Sequence, residues 1–454
     1  MLKKIIKLLI IIALFYGAAR FVVVFRDSQL SGERLPYIQM QSQDGVHIRW
    51  LTKDNHVGIL RFGTEPDHMS IVRVEASSSK NHKIELKGLT PATRYYYQVG
   101  EIGNYHDFDV NRHWFYTAPA EDALTRIWVI GDSGKAGKIQ NQVRDSAFAW
   151  MKEHPLIDEN AVTVKGKPLV DVWLHLGDLA YRSGSNKQFQ TALFDPYGNL
   201  LSNTSLWPVY GNHDDRRWTY FRVFDLPENA EVGGVASHTE NYYSFDRSNV
   251  HFIVLDSQAS DRSSESDMVE WLKNDLAQNS KPWIVAAFHH PPYTDGSHDS
   301  DDEGDSRGKM QDMRENIVPI LEQAGVDLVL SGHSHMYERS YMMDCAYGPS
   351  DQFSAENIVS SGVNDKHQQY IKPVLPSSHN GTIYMVAGSA AKVDNGPLEH
   401  PAHHIGLLEA GSVVIDVDDK KLVARFINKD GLVRDEFSIT KQDGYKSGYK
   451  GCLN

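Results

Sequence analysis

The sequence predicts a two-part chain: an antiparallel β-sandwich over residues 36–119, then a larger α/β domain over residues 124–440. Three observations predict it. Up to residue 119, short stretches alternate apolar and polar residues, with turn formers between them. Beyond residue 124 the apolar runs become continuous, as in strands buried on both faces. Between those runs lie stretches with apolar residues at helical spacing, which makes the second part α/β. A chain of 454 residues accommodates both parts and a sizeable core.

The chain starts MLKKIIKLLIIIALFYGAARFVVVF, lysines ahead of an apolar run. Residues 1–30 therefore read as a secretory signal peptide or an uncleaved signal anchor. The core Leu8 to Ala19, between Lys7 and Arg20, is short for a bilayer span, and the small residues Gly17 to Ala19 suit cleavage. If the helix continues through Phe21 to Phe25, the length suffices and Arg20 falls inside the span. Either reading implies export: a periplasmic, secreted or outer-face location.

In the sandwich, VHIRWLT, VGILRFG, SIVRVEA, HKIELKGL and RYYYQVG read as strands. The passage Leu89 to Tyr97 resembles fibronectin type III domains, and Thr117 to Ala120 reads as the linker. In the α/β part the expected strands are Ile127–Ile130, Val170–Leu176, Trp207–Tyr210, His251–Leu255, Trp283–Phe288, Val326–Leu330 and Thr382–Ala387. Met268, Trp271, Leu272 and Leu276 fall on one helix face. Arg314 to Ala324 predicts a second helix, ended by Gly325 and kinked or started by Pro319. SVVIDV, LVARFIN and VRDEFSI return to strands, and residues 441–454 form a tail. Cys345 and Cys452 either form one disulfide in an exported chain or stay free thiols.

A formal charge of −13 argues against nucleic-acid binding, which normally needs a basic face. It leaves room for an anionic substrate at a site dominated by cations.

The polar clusters carry the functional signal. Gly131-Asp132-Ser133-Gly134, Gly177-Asp178-Leu179-Ala180-Tyr181 and Gly211-Asn212-His213-Asp214 follow the first three strands of the α/β part. His289-His290-Pro291 and Ser331-Gly332-His333-Ser334-His335 close two later ones. Ligands bind at that edge of open α/β sheets. Carboxylates, imidazoles, an amide and a phenol, without cysteine, suit hard or borderline ions such as Mn, Fe or Zn. Asp132, Asp178, Tyr181, Asn212, His289, His333 and His335 offer enough donors for two of them.

In this order the motifs resemble the calcineurin-like metallophosphoesterases, and within them the purple acid phosphatases. Gly134 stands where most of the superfamily has a His, and Tyr181 follows Asp178 by three. The resemblance covers roughly Pro36 to Thr440. It implies a four-layer α/β/β/α catalytic domain behind a fibronectin-III-like domain. It also implies phosphate monoester hydrolysis with a metal-bound hydroxide as nucleophile, at a centre holding Fe(III) and a divalent ion (Fe, Zn or Mn).

By matching position, one ion takes Asp132, Tyr181 and His335, the other Asn212, His289 and His333, with Asp178 bridging. His213 and His298 are the expected substrate-binding and catalytic residues, His298 as the general acid. The expected partners are a small phosphate ester and, through the N-terminal segment, a membrane. Three neighbouring features are expected to matter less. The loop Asp295 to Lys309 reads as a solvated surface loop ahead of the alternatives of a lid or a further cation site, and Tyr337, Glu338 and Arg339 as support for the histidines. His400, His403 and His404 read as bystanders. Two other readings compete: a phosphodiesterase or nucleotidase of the same superfamily, and a catalytically degenerate surface binding protein.

Overall fold

The computed structural model describes residues 2–120, 123–156, 167–362, 368–449 and 451–452. Met1 of the N-terminal segment and residues 450, 453 and 454 of the expected tail lie outside the described residues.

Helix α1 (Leu2–Ser28) runs straight through Phe21 to Phe25, so Arg20 is a helical residue. The sandwich follows as one six-stranded pairing network, β1 (Arg34–Gln39), β2 (Val46–Gly63), β3 (Ile71–Leu86), β4 (Arg94–Glu101), β5 (Asn104–Tyr105) and β6 (Trp114–Tyr116). Here the strand reading needs correction. VHIRWLT and VGILRFG form one strand, and SIVRVEA and HKIELKGL form another. Their polar middles, Lys53 to Asn55 and Ser77 to Ser78, are exposed, and the ladder between β2 and β3 shifts register there. Backbone pairing does not depend on side-chain polarity, so a polar stretch can stay in a strand when solvent takes its side chains.

The α/β domain holds two seven-stranded sheets. The first runs β17 (Gln368–Pro373), β22 (Val433–Gln442), β21 (Lys421–Asn428), β20 (Gly411–Val417), β7 (Thr125–Ile130), β8 (Val172–His175), β9 (Leu206–Pro208). The second runs β10 (Tyr243–Arg247), β11 (Val250–Val254), β12 (Trp283–Ala287), β13 (Leu328–Ser331), β18 (Ile383–Ala387), β14 (Tyr337–Ser340), β19 (His403–Leu407). A small ribbon of β15 (Met342–Met343) and β16 (Ile358–Ser360) stands apart. The sets β7–β8–β9 and β11–β12–β13–β18 are parallel, so their C-terminal edges gather the loops that follow.

Alternation along each strand builds the four α/β/β/α layers. Phe252 and Val254 join the main core between the sheets, while Ile253 and Leu255 join a second core with Met268, Leu272, Ile317 and Leu321. The helix Asp267–Gln278 is capped by Ser266, whose hydroxyl accepts from the Val269 N–H. The expected helix 314–324 is a composite: a wide π turn over Met313–Ile317, then Val318–Gln323 with Pro319 in its first turn. Gly325 (φ +77) closes it in the left-handed region. Cys345 and Cys452 are disulfide-bonded, tying the C-terminal tail to the body.

The two parts are joined through Asp225, which Arg49 Nη1, His47 Nδ1 and Lys83 Nζ approach at 3.1, 3.1 and 3.2 Å. Burial alone would raise the Asp225 carboxyl; the hydrogen bond from His47 and the charges of Arg49 and Lys83 outweigh it and hold it well below the usual value. A depressed folded-state pKa adds stability above the unfolded value of about 3.9 and loses it as pH falls through the folded value. Asp225→Asn should lower stability at pH 7 by roughly 3 kcal/mol, the lower end for breaking a buried pair. Urea melts at pH 7 and pH 3 should also show a smaller acid loss than in the parent.

Candidate metal centre

The five polar clusters converge where the C-terminal edges of the two sheets meet. Asp132 (φ +56) leaves β7, Asp178 (φ +58) leaves β8, and His333 (φ +68) leaves β13. Non-glycine residues in the left-handed region cost about 1–3 kcal/mol each and persist where the surroundings dictate them. Glycines make the packing feasible. A Cβ on Gly211 would lie 2.4 Å from Asp178 Oδ1, and one on Gly332 2.5 Å from Asp132 Oδ2.

The seven expected ligands come together in two groups. In the first, Tyr181 Oη lies 3.2 Å from Asp132 Oδ1 and 3.0 Å from His335 Nε2. In the second, Asn212 Oδ1 lies 2.9 Å from His289 Nε2 and 3.0 Å from His333 Nδ1. Asp178 sits between them, with Oδ1 3.5 Å from His289 Nε2, and Asp132, Asp178 and His289 present ligand atoms within 4.8 Å of one another.

Each imidazole is aimed by its other nitrogen. His289 Nδ1–H donates to the Leu176 carbonyl at 2.7 Å, and His335 Nδ1–H to Asp394 at 2.7 Å. Ser306 Oγ donates to Asp305 at 2.8 Å, so it accepts from His333 Nε2–H at 2.6 Å. That leaves His289 Nε2, His333 Nδ1 and His335 Nε2 with lone pairs facing inward, the arrangement a metal ligand requires. Two buried carboxylates at the focus of three such lone pairs fit a pair of cations and little else.

The electrostatics agree. Burial raises Asp178 above the usual carboxylate value, with Asp132 nearby adding to the effect. Burial, then His290 and His289, pushes His333 well below 6.5, which keeps it neutral. His335 is the exception: Asp132 and Asp394 outweigh its burial and lift it to about 9, so an ion bound there takes the place of a proton on Nε2.

Three residues that the sequence reading gave no role shape the site. Asp214, buried, accepts from the N–H groups of Gly211, Asp178 and Leu179, buckling two ligand loops together. Asp394 orients His335 and Ser306 orients His333. Asp214 was visible inside the GNHD motif; Asp394 and Ser306 carry no motif. Asp394→Asn should lower affinity for the ion beside His335 about 10–100-fold, as outer partners of ligating histidines do. Chelator competition measures it.

His213 and His298 flank the centre. His213 Nδ1 bonds the Arg182 carbonyl at 3.0 Å, and its Nε2 is 4.0 Å from Asp178 Oδ2. His298 stacks on His333 with ring centroids 3.9 Å apart, and its Nδ1–H donates to Asp305 at 2.9 Å. The loop Asp295 to Lys309 is thus no mere solvated loop: it brings His298 and Ser306 onto the site, with Ser306 (φ +50) and Arg307 (φ +59) both left-handed.

His290 is buried against Ser257 rather than turned inward. Tyr337 and Arg339 bond Asp435 instead of the histidines, while Glu338 accepts from Thr294 and Asp295 in the loop that carries Ser297, the acceptor for the His335 N–H. His400 packs on Tyr293, His403 lies 3.3 Å from Glu338 and His404 bonds Gln368, all outside the two ligand groups.

Comparison with known proteins gives the same picture. The family described as Calcineurin-like phosphoesterase matches residues 125–337, and the one described as Purple acid Phosphatase, N-terminal domain matches residues 36–117. Purple acid phosphatase 22 of Arabidopsis thaliana is 28% identical over 344 residues, covering 70% of this chain and 69% of its own length. Purple acid phosphatase 21 of the same plant is 27% identical, covering 67% and 65%. The chain thus spans about two thirds of the length of these relatives. Among solved structures, a purple acid phosphatase from yellow lupin (Lupinus luteus) seeds has TM-score 0.67 at 16% identity, covering 93% of this chain and 77% of that one. At that identity the likeness speaks for the fold alone.

Proposed function

Since the chain belongs to the calcineurin-like metallophosphoesterases in their purple acid phosphatase branch, a family of metal-dependent phosphoric ester hydrolases, we propose that it hydrolyses phosphate monoesters. One observation carries the reading: three imidazole lone pairs converge on two buried carboxylates, an amide and a phenol. In this reading Asp132, Tyr181 and His335 would hold one ion and Asn212, His289 and His333 the other, with Asp178 available to both. Two ions held by these residues would supply a nucleophilic water at neutral pH and neutralise charge on the phosphoryl group. The phenolate of Tyr181 favours a trivalent ion in the first position, Fe(III), with Fe, Zn or Mn in the second.

The chain's own residues do the rest. His213, beside Asp178, offers its Nε2 to the phosphoryl group. His298, tied to Asp305 through Nδ1, keeps its Nε2 free to carry a proton to the leaving alkoxide. Asp305 holds both His298 and, through Ser306, His333, so the proton donor and one metal ligand share an anchor. Export, implied by the N-terminal segment, sets the work outside the cytoplasm.

The test uses metal-replete protein with nitrophenyl phosphate and its bis ester. Preference for the monoester, loss on chelation, and a visible band that disappears in Tyr181→Phe are expected. A colourless, fully active enzyme would remove the iron assignment, and preference for the bis ester would make the chain a phosphodiesterase. His298→Ala should slow alkyl phosphates about 10²–10⁴-fold, yet slow nitrophenyl phosphate far less, since nitrophenolate leaves without a proton. Equal slowing of both would rule out His298 as the acid.

A further inference from the structure

Helix α1 meets the domain on the loops that follow Tyr181 and Asn212. Its stretch Leu9–Ser28 has mean hydropathy 2.0 and is exposed along nearly all its length, long and apolar enough to cross a membrane. Yet its C-terminal end is part of the catalytic domain. Asp27 Oδ2 accepts from the Asn186 N–H at 3.0 Å and Thr219 Oγ1 at 2.8 Å, and pairs with Arg216 at 3.1 Å. Ser28 and Leu30 are buried, Leu30 in the main core.

Higher up, Tyr16, Ala19, Arg20 and Val23 line a cleft against Ser183, Asp215 and Arg216. Arg20 pairs with Asp215 at 3.1 Å, and Phe21 packs edge-on against Trp218 at 5.5 Å. Ser183 follows Tyr181 by two, and Asp215 follows Asn212 by three. The anchor therefore touches two of the ligand loops, and Asn212 lies no more than about 11 Å of chain from the Arg20 partner.

The lengths then constrain where a bilayer sits. Between Lys7 and that cleft the apolar run Leu8–Phe15 is roughly 12 Å long at 1.5 Å per residue, short of a hydrocarbon core of about 30 Å. Covering the difference draws the turns around Arg20, and the rim packed on them, to the membrane surface. That rim is suited to it. Trp218 is 46% exposed; Arg217 and Arg222 are exposed on the same helix (Arg217–Val223), as are Arg20 and Arg26 on α1, in a chain of net charge −13. An exposed aromatic with arginines on two adjoining helices is a composition suited to a membrane interface facing anionic headgroups.

We propose that α1 is retained as an anchor that holds the metal centre at the headgroup layer, where the enzyme takes phosphate monoester headgroups of lipids. The proposal rests on the phosphomonoesterase reading for its chemistry. An oxygen of water bonds to phosphorus as the bond to the lipid alkoxide breaks, and the alkoxide leaves with a proton as the lipid alcohol, giving inorganic phosphate. The Arg20–Asp215 and Asp27 contacts fix the mouth of the site beside the bilayer, and the arginine rim gathers anionic lipid there.

The full chain, reconstituted in dioleoyl phosphatidylcholine vesicles with a minor fraction of dioleoyl phosphatidic acid, tests this. Both native cysteines are in the disulfide, so a nitroxide on W218C reports one position. We expect that label to be shielded from an aqueous nickel relaxant and open to oxygen. Vesicle phosphatidic acid should be cleaved with kcat/KM at least about tenfold above its soluble dihexanoyl analogue, a gain in effective concentration. Nitrophenyl phosphate should be cleaved equally with and without vesicles. A label as exposed to nickel in vesicles as in free solution overturns the placement, as does a mature protein whose N-terminus lies beyond Ala19. Equal rates on the two lipids with the label shielded overturn the substrate class. Loss of nitrophenyl phosphate turnover in the same sample points instead to failure of the phosphatase reading.

Discussion

Replacing Asp178 with asparagine is expected to lower kcat for nitrophenyl phosphate about 10³-fold and to cut metal content from two ions per chain to one or fewer. Asp178 is the only expected ligand that both groups share. Its backbone N–H is held by Asp214 at 2.9 Å and its Oδ1 accepts the His213 N–H at 2.7 Å, so the side chain stays placed while its charge is lost. Cations contribute several kcal/mol of charge stabilisation in such reactions, and each 1.36 kcal/mol is about a factor of ten. Stability should move the other way, because burial already raises Asp178 and removing its charge relieves that cost in the metal-free protein. Metal analysis with melting of the apo form checks both parts. Full activity with two ions bound would show that Asp178 does not bridge.

The second large effect lies away from the chemistry. Arg339→Met is expected to destabilise the protein by about 3–5 kcal/mol, as breaking a buried ion pair does. Arg339 and Asp435 are both buried, joined by Nε at 2.6 Å and Nη2 at 2.8 Å. The Tyr337 hydroxyl adds a bond at 2.6 Å to the same carboxylate. Removing the cation strands Asp435, whose carboxyl lies below its usual value because Arg339, helped by the Tyr337 hydroxyl, outweighs its burial. The double variant Arg339→Met with Asp435→Leu should recover much of the loss, since two apolar groups of similar volume leave no charge behind. Denaturant melts of the three proteins separate the pair from the packing.

Much of the site could be read in the chain because its parts are local. Gly-Asp or Gly-Asn-His after an apolar run is a strand end by pattern alone, and donor chemistry follows from residue type. What could not be read was longer in range or finer in geometry. The β2 and β3 strands looked interrupted because composition registers polarity, whereas a ladder registers backbone. The Asp295 to Lys309 loop looked solvated because Asp, Ser and Gly dominate it, yet those residues spend their polar groups on one another and on His333. Arg339 looked like support for the histidines because it adjoins them in sequence, while its partner lies 96 residues away.

The N-terminal helix draws the line most clearly. Sequence by itself determined that residues 1–30 are apolar enough for export or anchoring, and that the five clusters carry a metal-competent set in a fixed order. It did so because period and residue type are properties of short segments. Only the tertiary structure decided which nitrogen of each histidine faces the centre, that Asp394 and Ser306 set those tautomers, and that α1 ends against the two loops bearing Tyr181 and Asn212. Those contacts join residues 59, 27 and 159 positions apart. Hydrogen bonds at such separations are chosen by the packing of whole layers, and no segment holds both ends of them.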